Sequence, residues 1–145
     1  MIFDKQSLFS DAQAITVPAV STNVLDVGAM GIPQHADAAY AKDLGKGRKV
    51  PIRIQIVEDF AGAFTNLEVS IQTDSTDAFG SAKTVMTHSV AKAAAVAGYV
   101  IPFDFFPRGT DEQFVRLNYN LTGTATASAG KITAGVTHGN DEQWV

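Results

Sequence analysis

Val50-Pro51-Ile52-Arg53-Ile54-Gln55-Ile56-Val57 sets Val, Ile, Ile and Ile at even positions against Pro, Arg and Gln at odd ones. Strict period two over eight residues predicts a strand with one buried face, because successive side chains of a strand point to opposite sides of the sheet. Pro51 stands at the start of the run, where a missing amide donor is tolerated. Leu67, Val69 and Ile71 alternate with Glu68, Ser70 and Gln72 in the same way, which predicts a second strand. Phe60-Ala61-Gly62-Ala63-Phe64, between the two, reads as an apolar loop.

The pattern continues towards the C-terminus. Asp74-Ser75-Thr76-Asp77 supplies turn-forming residues, and a strand is expected over 84–90. Ala91-Lys92-Ala93-Ala94-Ala95-Val96-Ala97 has helix-favouring composition but is too short for a helix that is stable alone. Tyr99 to Phe105 reads as a further strand, closed by Pro107-Arg108-Gly109-Thr110. In Phe114 to Leu121 the apolar set moves to odd numbers: Val115, Leu117, Tyr119 and Leu121. Residues 122–130, rich in Gly, Ala, Thr and Ser, read as a turn that returns 131–137 as the antiparallel partner of 114–121.

Upstream, residues 1–20 are weakly patterned and are expected to form an extended N-terminal arm with at most a helical turn over 10–14. A strand is expected over 22–27. Residues 28–49 form a long glycine-containing connection of the kind that often carries binding. The C-terminal tail, 138–145, is polar apart from Trp144 and Val145. Short strands between turn signals, with hardly any helix, predict an all-β protein, a single-domain sandwich of about seven to eight antiparallel strands. A βαβ protein would need helices of about 10–15 residues between its strands, and none is present. The 145 residues fit one domain.

Composition narrows the function. The net charge is −4, and Lys46, Arg48 and Lys49 make the one dense basic run, which reads as a solvated strand approach. No nucleic-acid partner is expected, because phosphate binding rests on clustered Lys and Arg. The absence of cysteine removes disulfides and thiolate zinc sites as sources of stability. No apolar run reaches the length that spans a bilayer, so no membrane partner is expected. The opening residues lack the pattern of a signal peptide, and synthesis in the cytoplasm is expected.

No motif for catalysis emerges. His35, His88 and His138 lack metal-ligand spacing, and His88 reads as a structural residue on a strand face. Gly28, Gly31, Gly45 and Gly47 fit neither a dinucleotide nor a P-loop pattern, and Gly80-Ser81-Ala82 is not a nucleophile elbow. Asp74, Asp77, Asp111 and Glu112 read as solvated turn acids without calcium-loop spacing. The expectation is a protein that is not an enzyme and has no cofactor and no metal. The aromatic residues remain. Phe103 and Phe105 read as core, whereas Phe3, Phe9, Phe60, Phe64 and Trp144, near termini or in loops, form the expected interface set.

Three blocks carry a resemblance. They are Asp4-Lys5-Gln6 with 8–16 (Leu-Phe-Ser-Asp-Ala-Gln-Ala-Ile-Thr), Ser21-Thr22-Asn23-Val24-Leu25-Asp26, and Phe114 to Tyr119 followed by Ala129 to Gly135. In order and spacing they are similar to the capsid cement (decoration) proteins of tailed bacteriophages, the type first seen on a Bordetella phage capsid. The resemblance implies a jelly-roll-like fold and a homo-oligomer (dimer or trimer) on the outer surface of the virion capsid. There it would bind the major capsid protein and bridge capsomers. It supplies no catalytic residues. Removal of residues 1–20 is expected to weaken capsid binding and leave the domain folded.

Two other readings stand beside it. A carbohydrate- or receptor-binding β-sandwich module of a virion could use Tyr40, Tyr99 and Trp144. A jelly-roll enzyme could assemble a site from His35, His138 and Asp141.

Overall fold

The computed structural model describes residues 3–40 and 42–138. The strands are β1 (Phe3–Ala14), β2 (Ala19–Val20), β3 (Leu25–Asp26), β4 (Ile52–Asp74), β5 (Lys83–Ala91) and β6 (Phe114–Thr137). They form one antiparallel sheet in the order β1-β6-β4-β5, with β2 and β3 also on β6.

β4 and β6 pair along their whole length, from Ile52 opposite Val136 to Asp74 opposite Phe114. Between Ile56 and Leu67 the register shifts repeatedly, and there the ribbon bends. Glycine makes the bend possible. Gly130 has φ +141°, and a Cβ there would lie 2.4 Å from the Phe60 ring. Gly62, at φ +128°, lies so close to Ala127 that a Cβ would come within 2.7 Å of its Cα. The bend divides the ribbon into a lower arm (52–57 with 131–137) and an upper arm (67–74 with 114–121).

Both flanks follow the same bend. On the β6 side, β1 runs along the lower arm, Ile15 donates to Gly130, and β2 and β3 continue along the upper arm. On the β4 side, β5 runs along the upper arm. The chain then passes a single 3-10 turn at Lys92–Ala94 and follows the lower arm over 98–106. In that last stretch Ile56 donates to Tyr99, Ile101 to Ile54, Ile52 to Asp104 and Phe106 to Val50, at 2.9–3.2 Å. A curled, four-segment-wide sheet therefore closes on itself as an all-β sandwich.

The alternating residues predicted to face inwards do so. Ile52, Ile54 and Ile56 meet Leu67, Val69, Ile71, Val115, Leu117, Tyr119 and Leu121 in one core, with Ile132 and Ala134. Each fully buried aliphatic side chain contributes about 1.5–3 kcal/mol.

Several local expectations are corrected. Residues 60–64 and 122–130 are not loops but the bent middles of β4 and β6. It follows that 131–137 is not the hairpin partner of 114–121; it continues the same strand and pairs with β1 and β4. Tyr99–Phe105 runs extended and hydrogen-bonded along the lower arm but forms no continuous ladder: its bridges, Gln55–Val100 and Pro51–Phe105, are isolated, and Pro102 between them lacks a donor. Residues 10–14 are strand, the helical stretch at 91–97 shrinks to the 3-10 turn, and the strand expected over 22–27 shrinks to β3. Residues 1–20, expected as an arm, supply β1 and β2 on the chain's own sheet.

Candidate interaction surfaces

The expected interface set separates. Phe9, Phe60 and Phe64 are 1%, 6% and 2% exposed, so these rings are core and not surface anchors. Phe9 meets Phe106 edge to face at 6.3 Å, and Phe60 meets Phe64 at 5.9 Å within the bend. Phe3 is half-buried beside Gly135. Trp144 lies outside the described residues, as do Asp141 and most of the expected tail. Phe105, read as core, is exposed beneath the Lys49 ammonium, whereas Phe103 is buried.

No cluster of three or more His, Asp or Glu that could hold a metal exists among the described residues. His88 is half-buried on β5 with its ring edge-on to Phe103. His35 and His138 are exposed, the one in the 28–40 connection and the other just beyond β6. Asp74 is structural: the Thr76 and Ser81 amides donate to it and hold its carboxyl below the usual value. Lys83 and Asp111 pair at 2.8 Å, which raises the lysine and lowers the acid. Arg116 lies over the Phe79 ring at 4.1 Å, and burial lowers its pKa. No described helix is long and apolar enough to cross a membrane.

Two surfaces stand out. The first is the connection after β3, where every residue from Gly28 to Tyr40 is exposed. Its base is tied to the body, since Val27 donates to Gln113, Gln113 to Asp26, and the Lys42 ammonium to Val27. Tyr40 donates to Gly31 at 2.9 Å and closes the segment into a lobe. Met30 (38%), Ile32 (67%) and Tyr40 (70%) present apolar area there, and Asp37 is the lobe's lone carboxylate. Local composition explains the shape: Gly28, Gly31 and Pro33 break any strand pattern, and His35 takes φ +66° at the turn.

The second surface is the outer side of β5. Its inner side pairs with β4 from Asn66 to Thr73. No backbone hydrogen bond from a described residue reaches its outer side.

Sequence reasoning marked 28–49 as a binding connection but did not single out Met30 or Ile32. Their signal, apolar residues between glycines and prolines, was visible. The β5 edge carried no sequence signal, because an edge is defined by strand order.

A search of curated proteins finds no match to the chain. The Bbp16 family model matches residues 9–136, from mid-β1 to the penultimate residue of β6. On that match, the chain belongs to the Bbp16 family, a Bordetella phage protein family.

Proposed function

We propose that this chain is a decoration protein that binds the outer surface of the major capsid protein shell of a phage and stabilises it by bridging capsomers. It works as an oligomer and by binding rather than catalysis. The observation that carries this reading is the tied lobe of residues 28–40, which holds Met30, Ile32 and Tyr40 in water. Apolar groups kept exposed on an anchored loop gain free energy when a partner covers them, at little ordering cost. Membership of a phage protein family supports a virion setting, and the three blocks that resemble cement proteins support the capsid as partner.

A single lobe buries little area. Copies joined in one oligomer raise one another's effective concentration on the shell, so modest contacts give slow release. The test mixes purified protein with cognate capsids lacking it, sediments them and quantifies the bound chain. Saturable co-sedimentation at a fixed ratio to capsid subunits, with particles more resistant to heat, is the expected result. No co-sedimentation at low or physiological salt would overturn it. In that case the exposed Tyr40 favours a carbohydrate-binding module, which a glycan array would reveal.

A further inference from the structure

The lobe of residues 28–40 leaves the body beyond Asp26 and rejoins it before Asp43, and the two carboxylates are used alike. Asp26 Oδ1 accepts from the Gly28 amide at 2.8 Å and from the Gln113 side chain at 3.0 Å. Asp43 Oδ1 accepts from the Gly45 amide at 2.9 Å, and its Oδ2 accepts from the Gly109 amide at 3.1 Å. Each aspartate therefore closes a turn onto the glycine two positions on. Each also reaches across to the same segment, 109–113.

That segment is the seat on which both ends of the lobe lie. Val27 donates to the Gln113 carbonyl at 2.9 Å and Leu44 to the Thr110 carbonyl at 3.0 Å. The Lys42 ammonium donates to the Val27 carbonyl and joins the two ends directly. Gly45 lies so close to Pro107 that a Cβ would meet its carbonyl group. The seat is itself fixed. Thr110 is buried with its hydroxyl on the Pro107 carbonyl, and Lys83 of β5 holds Asp111 at 2.8 Å. Neither Asp26 nor Asp43 belongs to the core, so what the pair fixes is how the lobe stands on the body.

We infer that Asp26 and Asp43 are positioning residues for capsid binding. They touch no partner, and they hold Met30, Ile32 and Tyr40 on a lobe that is ordered before the partner arrives. A loop free at its ends loses conformational entropy when binding orders it, and a loop held at both ends does not. The inference takes its partner from the proposed function. Side-chain chemistry then separates the two residues. Asparagine keeps one acceptor oxygen and puts a donor in place of the other. Asp26 uses one oxygen for both bonds, so Asp26→Asn should behave as wild type. Asp43 uses both oxygens, so Asp43→Asn sets a donor against an amide N–H and should loosen the lobe.

The test has two arms. On the free full-length chain, chymotrypsin should cleave after Tyr40 about tenfold faster in Asp43→Asn and in Asp26→Ala than in wild type or Asp26→Asn. The far-ultraviolet circular dichroism of all four should agree. On cognate capsids, Asp43→Asn should raise the concentration for half-saturation by about tenfold. Ile32→Ser with Tyr40→Ser should raise it too. The three changes together should bind no more weakly than the lobe pair alone, because nothing is left to position. Unaltered cleavage, equal behaviour of the two asparagine variants, or additive losses on capsids would overturn the inference, and the capsid reading would stand on the loss shown by the lobe pair. Wild-type binding by the lobe pair would overturn the lobe contact and the positioning role together.

Discussion

The Ser10 hydroxyl and the Tyr119 phenol lie 2.8 Å apart in the buried interior, although 109 positions separate them in sequence. Ser10 belongs to β1 on the lower arm and Tyr119 to the upper arm of β6, so the contact ties the two halves of the bent ribbon. Ser10 also bonds Gln13, whose side chain donates to Val20 and accepts from Thr22. One polar chain thus links the N-terminal strand, the connection after it and the core.

Burial pushes the Tyr119 phenol far above its ordinary value of 10.0, and the Ser10 bond offsets this only in part. The folded state keeps a proton that the unfolded chain releases, so this group's contribution is fully present below about pH 10 and is lost as pH rises above it. Stability should fall there by about 1.4 kcal/mol per pH unit from this residue alone. Tyr119→Phe should remove that slope and cost about 1 kcal/mol at neutral pH. Urea melts of both proteins from pH 8 upwards check both outcomes.

Gly130→Ala should destabilise the fold by about 2–4 kcal/mol, from backbone strain at φ +141° together with the clash into Phe60. Gly47→Ala is the control, because it also has positive φ but nothing within 4 Å of its Cβ. It should cost only the strain. Equal losses in the two variants, measured by chemical unfolding, would show that the Phe60 contact is not the cause.

Deleting residues 1–20 should unfold the domain, contrary to what the sequence suggests. The deletion removes Phe9 and Ile15 from the core and Ser10 from Tyr119, and it strips β1 from the lower arm of β6, which keeps only β4 as a neighbour. Large-to-small changes at one such site already cost about 2–5 kcal/mol. The measurement is the near-ultraviolet circular dichroism of the truncated chain, where a native spectrum would contradict the prediction.

Ile32→Ser with Tyr40→Ser should leave the melting temperature within about a degree of wild type, because neither side chain packs on the body. The same pair should lower the fraction of chain that sediments with capsids. Unchanged sedimentation would move the contact away from the lobe.

Much of the fold was legible in the chain. Period-two alternation at 50–57, 67–72 and 114–121 marked the strands and named their buried faces, because a strand has only two sides and one of them must be dry. What was not legible was which strand met which. Residues 60–64 and 122–130 read as loops because Gly and Ala serve a turn and a bend equally well. Only their pairing with each other, Ala61 with Ala129 and Gly62 with Ala127, makes them the folded middle of one ribbon.

The same distinction governs the candidate surfaces. Phe9, Phe60 and Phe64 looked available from their positions in the chain, but Phe60 and Phe64 pack together inside the bend and Phe9 packs on Phe106. The lobe of 28–40 was visible as a break in patterning, but the exposure of Ile32 and Tyr40 was not. By itself, the sequence determined an all-β chain with alternating inward faces, since that depends on neighbours in the chain. The tertiary structure decided where the ribbon folds, which rings are covered and which edge stays open, since those depend on pairings between residues far apart in sequence.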